Sequence, residues 1–481
     1  MTTGLRSHAR LFAPPAELAW DVAPRTAVVS PCPNPRLTLD ISRLLLRAPH
    51  RTPTGIDRVE LAYARHLLQL APARAGFVAA LRGPPRPVSR TLVARLVEAT
   101  DQVWQYGDGR AWRHERQRIS EFLSAPPPVE PAPVRQHASY AQMRRCIAAA
   151  AVAVQSLPPC GLPGTRDTAR PRAAAGDIYV NVSHSGVDRP ALRRWLGNRR
   201  AIFLLHDLIP IGFPEFVTPG GDATHSARLE TMMQPRHTIM VNSHATRAAL
   251  MEYVIYKQQN SAAGMAELAT APIGVEAIFR TGRPPAWPSA QPYFVCVATI
   301  EPRKNHVFLL QLWQRLVALL GDAAPRLVLV GRRGWENENA IDMLERGHGM
   351  RDAVLECGAL PDRLMAALIA GARAVLLPSL AEGFGLPVVE ALALGTPVIA
   401  SDLPALREIG GGIPEFLDPL DGRGWLAALH DYAQPDSPRR ERQISALQKY
   451  RAPCWDQHFQ AFDALARGAS QPAAVLAPAL C

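Results

Sequence analysis

The chain has 481 residues, 48% of them hydrophobic and 20% charged, which excludes a fibrous or wholly disordered protein and suits two domains of roughly 200 residues each. No stretch reaches the ~18 to 20 uninterrupted apolar residues that a bilayer-spanning helix needs, and residues 1–24 lack the apolar centre of a secretory leader. The net charge of +11 is uneven: residues 1–280 carry 34 Lys+Arg against 21 Asp+Glu, and residues 281–481 carry 19 against 21.

Residues 1–36 are rich in Ala, Pro and Arg without a period and read as a mobile extension. Leu37-Thr38-Leu39-Asp40-Ile41 alternates as a strand. After the Pro53-Thr54-Gly55 turn, Val59, Ala62, Leu67 and Leu70 predict a helix opening near Asp57. An insertion from about 102 to 175 contains Pro clusters at 125–133 and 158–171, which read as extended and weakly ordered. Strands follow at Ile178 to Val182, Ala201 to Leu205 and Thr238 to Val241, each succeeded by a helical pattern.

Four prolines in 281–292 mark a linker between domains. Beyond it a second alternating series runs from strand Tyr293–Ala298 through helix Asn305–Leu320 and strand Leu327–Val330 to a helix near 340–346. It continues with Val354–Leu355, helix Pro361–Ala370, strand Ala374–Leu377, helix Pro387–Leu394 and strand Pro397–Ala400. Trp455 to Ala466 supplies a last amphipathic helix, expected to pack back toward the N-terminal domain, before a tail to 481. Strand and helix alternating in this way predict two α/β domains with parallel sheets, spanning 37–280 and 293–454.

The run Pro378-Ser379-Leu380-Ala381-Glu382-Gly383-Phe384-Gly385-Leu386-Pro387-Val388-Val389-Glu390-Ala391 leads from a buried strand into a helix whose first residue is read as Pro387. Proline there needs no N–H, and the two glycines let backbone donors approach a ligand at the helix start. Glu382 in the loop and Glu390 on the first turn suit sugar hydroxyls, which carboxylates accept, better than phosphate, which they repel. A plainer reading gives Glu390 to the helix dipole and the glycines to the turn. The whole pattern, two glutamates with seven residues between them around Gly-Phe-Gly-Leu-Pro, favours binding.

From Pro378 to Gly410, with Gly395-Thr396-Pro397-Val398-Ile399-Ala400-Ser401, the chain resembles the donor-site signature of retaining glycosyltransferases of family 4, and bacterial polysaccharide mannosyltransferases in particular. Ile300-Glu301-Pro302-Arg303-Lys304-Asn305 resembles that family's diphosphate loop. Val328-Leu329-Val330-Gly331 and Gly358-Ala359-Leu360-Pro361-Asp362 resemble two further landmarks, the second being where the nucleobase rests on backbone groups. In the first half, Thr54-Gly55-Ile56-Asp57-Arg58-Val59-Glu60 resembles the first glycine loop and His206-Asp207-Leu208-Ile209-Pro210 the cleft histidine. Val241-Asn242-Ser243 with Thr246 resembles the last strand turn of that domain. Two departures are Thr299, where relatives often have Arg, and Ala298, where they often have Gly.

The resemblance implies the GT-B architecture, two doubly wound Rossmann-like domains facing each other across a cleft. It implies a glycosyltransferase that retains anomeric configuration, with His206, Lys304 and Glu382 as catalytic residues. The implied donor site comprises Gly55, Thr299, Arg303, Lys304, Gly331, Gly358, Ala359, Leu360, Glu382, Gly383, Phe384, Gly385, Leu386 and Glu390. Arg303 and Lys304 at a helix start oppose the dipole, and Lys304 is one of three lysines in the chain, so a bound anion is expected there. The substrate is a nucleotide sugar, GDP-mannose or a UDP-sugar, and the acceptor a saccharide, with a lipid-diphosphate link as one form. No metal or other cofactor is expected, since the seven cysteines form no C-x-x-C pair and no zinc-spaced cluster. The basic first half fits peripheral contact with an anionic membrane from the cytoplasmic side, or simply an Arg-rich composition; no nucleic-acid module is present. A sugar-nucleotide epimerase of the same fold and a non-catalytic homologue acting as a partner protein remain alternatives.

Overall fold

A computed structural model gives the fold, describing residues 34–468 except 49, 51, 82, 108–109, 125–141, 150–176, 259–265, 283 and 359. The expected extension up to residue 33, the Pro clusters of the insertion and the tail from 469 lie outside the described residues. The remainder divides into two units by contact. One gathers residues 34–101, 142–273 and 455–468, and the other 102–124 and 274–454.

The first unit is built on a seven-stranded sheet. Its strands are β1 (Leu37–Asp40), β2 (Ala75–Ala79), β3 (Arg86–Val88), β4 (Ile178–Asn181), β5 (Arg200–Leu205), β6 (Thr238–Val241) and β7 (Glu267–Thr270). The order is β3-β2-β1-β4-β5-β6-β7, parallel throughout except that β3 pairs antiparallel with β2. Strands β4 and β6 are buried along their whole length, and so are the last five residues of β5. A parallel strand covered on both faces reads as a continuous apolar run, which is why these three were legible. Helix α1 (Ser42–Arg47) follows β1, and α2 (Gly55–Gln69) opens at Thr54, whose N–H donates to Asp57 Oδ2 at 2.7 Å.

The helix Trp455–Ala466 belongs to this unit. His458 Nδ1 lies 3.0 Å from the Pro272 carbonyl and must donate to it, leaving Nε2 to accept from the Tyr63 hydroxyl at 2.8 Å. His66 stacks on Phe459 with centroids 4.1 Å apart. Burial pushes His458 down to about 4, so it stays neutral in this packing.

The second unit holds β8 (Tyr293–Val297), β9 (Arg326–Val330), β10 (Val354–Cys357), β11 (Val375–Leu377), β12 (Val398–Ser401) and β13 (Glu415–Leu417) in the order β10-β9-β8-β11-β12-β13, all parallel. Its core includes Phe294, Leu309, Trp313, Leu329 and Trp425. The two indoles are buried without an orphaned donor: Trp313 Nε1 reaches the Pro325 carbonyl and Trp425 Nε1 that of Asp418, both at 2.9 Å.

The division differs from the expected one in two places. Residues 274–292 group with the second unit because their backbone bonds there: Val275 N–H to the Pro453 carbonyl at 2.9 Å and Trp287 N–H to that of Ala367 at 3.0 Å. The beginning of the insertion is helical. Helix α3 (Arg90–Tyr106) ends at Gly107, and α4 (Arg110–Leu123) then buries Trp112, Ile119 and Leu123. That last turn of α3 and α4 group with the second unit. Among the described residues no helix is long and apolar enough to cross a membrane.

Candidate functional site

In each sheet the chain order reverses once, and a doubly wound sheet binds ligands outside the carboxyl ends of its strands at that switch point. In the second unit the switch lies between β8 and β11. The loop after β8 carries Thr299, Arg303 and Lys304, and the loop after β11 carries Glu382. The two loops are joined. Lys304 Nζ donates to Glu382 Oε1 at 2.5 Å, Arg303 Nη1 donates to Glu382 Oε2 at 3.2 Å and to the Ala381 carbonyl at 2.9 Å, and Leu380 N–H donates to the Arg303 carbonyl at 2.9 Å. Ser379 Oγ adds a bond to Glu382 Oε1 at 2.7 Å.

Burial alone would push the Glu382 carboxyl up. The charges of Lys304 and then Arg303, with the hydrogen bonds from Lys304 and Ser379, overcome it and hold the carboxyl at about 2. Glu382 is therefore an anion tying two cations, with both oxygens engaged. The sequence reading of its carboxylate as an acceptor for sugar hydroxyls did not include these partners, because nothing in the local run reveals what β8 brings beside it.

The two cations are not equivalent. Arg303 also donates to Glu301 Oε1 at 2.9 Å, so its fork is committed to the loops. Lys304 spends one of three N–H groups on Glu382, leaving two to donate elsewhere. Both sit on a 3₁₀ turn, Pro302–Lys304, and the helix His306–Leu320 begins only after Asn305 turns the chain in the left-handed region at φ 59°. Their unfavourable position is thus answered inside the protein by Glu382 and Glu301, and it does not by itself require a bound anion.

The helix after the second loop starts at Leu386, with Gly385 at its cap at φ 96° and Pro387 in its first turn. Glu390 is therefore in the second turn rather than the first, and it is buried. Gly383 and Leu386 are half-buried, and Phe384 is buried. In the first turn Pro387 has no N–H and Val388 N–H donates to the Gly385 carbonyl at 2.9 Å, so the N–H of Leu386 is the first-turn donor with no partner within the helix.

Gly331 follows β9 and admits no side chain, since a Cβ there would lie 1.9 Å from the Ala298 carbonyl oxygen. Gly334 is tight in the same way, 2.8 Å from Thr299 Cγ2. Ile300 N–H donates to the Arg332 carbonyl and Gly334 N–H to that of Ile300, both at 2.9 Å, zipping this loop to the one after β8. Gly358 is exposed after β10 and Leu360 is buried; Ala359 lies outside the described residues. Thus Thr299, Arg303, Lys304, Gly331, Gly358, Leu360 and Glu382 to Leu386 all fall at the carboxyl ends of one sheet.

His206 and Gly55 belong to the first unit, where Gly55 is the first residue of α2 and His206 follows β5. His206 is buried, and its Nε2 donates to the Val182 carbonyl at 2.7 Å, which fixes the neutral tautomer with Nδ1 as the lone-pair nitrogen. Burial pushes its pKa down. Two histidines that sequence reasoning missed accompany it: ring centroids of His184 and His206 are 5.2 Å apart, and of His184 and His225 5.7 Å. His184 could have been found, since it follows β4 as His206 follows β5; His225 sits inside a helix and carries no such signal. Among the described residues no group of three or more His, Cys, Asp or Glu is placed to hold a metal ion.

At the switch point of this unit, between β1 and β4, Asp40 Oδ2 accepts from the Tyr179 hydroxyl at 2.6 Å and Oδ1 from Ser42 Oγ at 2.5 Å. Glu60 Oε1 accepts from Leu44 N–H at 2.7 Å. Burial pushes the Glu60 carboxyl up to about 8, against hydrogen bonds from Ser183 and Leu44.

Residues 280–411 match the family described as Glycosyl transferases group 1. The chain is 36% identical over 172 residues to an O-antigen chain mannosyltransferase B of Escherichia coli, covering 36% of this chain and 44% of that one. It is 40% identical over 107 residues to an MMP alpha-(1->4)-mannosyltransferase of Mycolicibacterium hassiacum, covering 22% of this chain and 26% of that one. The chain thus spans less than half the length of these curated relatives. An alpha,alpha-trehalose-phosphate synthase (UDP-forming) from Burkholderia vietnamiensis superposes with a TM-score of 0.53 over 90% of this chain and 99% of that one at 14% identity, a likeness of fold. The two parallel α/β units are the GT-B pair of domains, and residues 280–411 are a glycosyl transferases group 1 domain.

Proposed function

We propose that the protein transfers mannose from a nucleoside diphosphate, GDP-mannose, to a saccharide acceptor with retention at the anomeric carbon. The observation that carries this reading is the Lys304–Glu382–Arg303 cluster at the β8/β11 switch point. Glycosyl transfer leaves a diphosphate whose charge grows as the sugar departs, and a donor already held in place stabilises that charge without reorganisation. Lys304 is that donor, with two N–H groups to give. Arg303 and Glu382 are positioning residues that fix the ammonium and join the two loops.

In this reading the leaving phosphate oxygen takes the acceptor's proton while an oxocarbenium-like sugar forms, so no separate general base is needed. His206 is kept neutral with a lone pair on Nδ1 as a hydrogen-bond acceptor, and Glu390 serves the ribose. The mannosyltransferase names among the relatives support the sugar, and the O-antigen one supports a growing polysaccharide as acceptor. A lipid-diphosphate link on that acceptor and peripheral attachment to an anionic membrane follow from the excess of cations in residues 1–280.

The test is a panel of GDP-, UDP-, ADP- and TDP-sugars, read by thermal stabilisation and slow donor hydrolysis. Selective stabilisation by GDP-mannose, lost in Lys304→Ala, is the expected result. Equal response to all, or stabilisation that survives Lys304→Ala, would sink the assignment.

A further inference from the structure

Strand β10 is the edge of the second sheet, and the turn after it presents Gly358, the residue type that holds its backbone least firmly. A nucleobase read by backbone groups needs that turn fixed. The fixing comes from the insertion. Cys357 O accepts from Gly331 N–H on the inner side, so the Glu356 carbonyl faces the open edge, where Arg118 Nη2 of α4 donates to it at 3.2 Å. Glu115, one turn earlier on α4, holds that guanidinium through Nη1 at 2.9 and 3.0 Å. On the far side of the turn, Arg363 Nη2 donates to the Tyr106 hydroxyl at 2.8 Å, with the guanidinium 4.3 Å over the Tyr106 ring.

The segment that supplies these groups is itself anchored. Gly107, at φ 80°, lets the Trp112 ring lie where a Cβ would be 1.8 Å away, closing the corner between α3 and α4. At its other end the Leu123 carbonyl accepts from Ala290 N–H at 3.1 Å, and Arg326 lies 4.9 Å over the Phe122 ring. Both flanks of one exposed glycine turn are thus clamped by two short pieces of one insertion.

We propose that α4 and the last turn of α3 brace the carboxyl end of β10 at Gly358 and the start of the helix Asp362–Gly371, and that Arg118 and Tyr106 are positioning residues for recognition of the donor's nucleobase. The proposal rests on the reading that the base lies at this turn. Position 358 allows the two to be separated, because a Cβ there meets nothing within 4 Å. Gly358→Ala therefore adds a methyl that the surrounding protein tolerates, so a change in GDP binding reads the ligand and not the packing.

Calorimetric affinities for GDP and for inorganic pyrophosphate are measured on the wild type, Gly358→Ala, Arg118→Ala, Arg118→Lys and Tyr106→Phe, with melting temperatures alongside. The expected result is weaker GDP binding in Gly358→Ala and about fivefold weaker binding in Arg118→Ala, the scale of one hydrogen bond lost to the ligand. Arg118→Lys recovers part of it, Tyr106→Phe shows a smaller loss, and pyrophosphate affinity holds throughout. A weakened Gly358→Ala with unchanged Arg118→Ala and Tyr106→Phe overturns the brace alone. Unchanged GDP binding by Gly358→Ala overturns the base position and the brace with it. A fall in melting temperature with the ratio of GDP to pyrophosphate affinity constant reduces Arg118 to a structural role.

Discussion

Two desolvated glutamate side chains, one in the loop after β11 and one in α2 after β1, stand beside the switch points of the two sheets and have opposite chemistry. Glu382, at the β8/β11 switch point, is held at about 2 because Lys304 and Arg303 outweigh its burial. Glu60, beside the β1/β4 switch point, is pushed up to about 8 because burial, with Asp40 nearby, outweighs the hydrogen bonds it receives. Glu60 is fully buried and the Glu382 side chain is 7% exposed, so both are desolvated and the partner decides the charge. The second unit sets ions where a doubly wound sheet meets ligands, which suits a diphosphate. The first sets Glu60 there with Tyr179, Ser42 and the His206 group, beside the Arg43–Asp57–Arg47 ion pairs, a mixed set that suits a polyhydroxyl acceptor.

The contrast is most sharply broken by removing the charge of Glu382. Glu382→Gln leaves Lys304 and Arg303 without their buried anion, and breaking such a cluster costs about 3 to 5 kcal/mol. Turnover is expected to fall roughly 100-fold or more as the ammonium loses its aim. Unchanged kcat with a native melting temperature would show that the ion cluster is ornamental.

The next effect lies in pH. Glu60 has a folded value above its ordinary 4.5, so its contribution to stability is complete below 4.5 and is lost as pH rises through about 8. Glu382 is the reverse, contributing fully above 4.5 and losing that as pH falls toward 2. Glu60→Gln is therefore expected to flatten the fall in stability between pH 5 and 8, an effect on the order of 4 kcal/mol across that window. Denaturation curves at pH 5 and 8 check it, and an undiminished fall in the variant would mean that Glu60 is not its source.

A smaller effect belongs to the glycine that starts the helix beside Glu382. At φ 96°, Gly385→Ala forces a Cβ into the left-handed region and against Leu406, at about 1 to 3 kcal/mol. Chemical denaturation reads this loss, and donor affinity is expected to fall with it because the Leu386 N–H shifts. A stability loss with unaltered affinity would detach that helix end from the donor.

Much of this was legible along the chain. Strands β8 to β12 of the second unit lie within a residue or two of their expected bounds, because fully buried parallel strands such as Leu327–Val330 are unbroken apolar runs flanked by Gly or Pro, whereas the half-buried edge strand β13 was missed. The Glu382 to Leu386 loop was legible for the same reason, as punctuation between a strand and a helix. What could not be read was pairing across the sheet. That Glu382 binds Lys304 depends on β11 crossing to lie beside β8, which no local pattern states. Helix α4 was missed because its sequence is Arg-rich and borders a Pro-rich stretch, while its stripe of Trp112, Ile119 and Leu123 is only three residues wide. Strands β2 and β3 were missed as a short run and an edge pair containing proline.

The central claim is that Lys304 holds the donor's diphosphate, and titration calorimetry of GDP and of guanosine against wild type and Lys304→Ala addresses it directly. The account predicts at least tenfold weaker GDP binding in the variant, the scale of one charge-assisted hydrogen bond, with guanosine affinity unchanged. Equal GDP affinity in the two proteins would contradict it and leave the ion cluster as a structural tie between two loops.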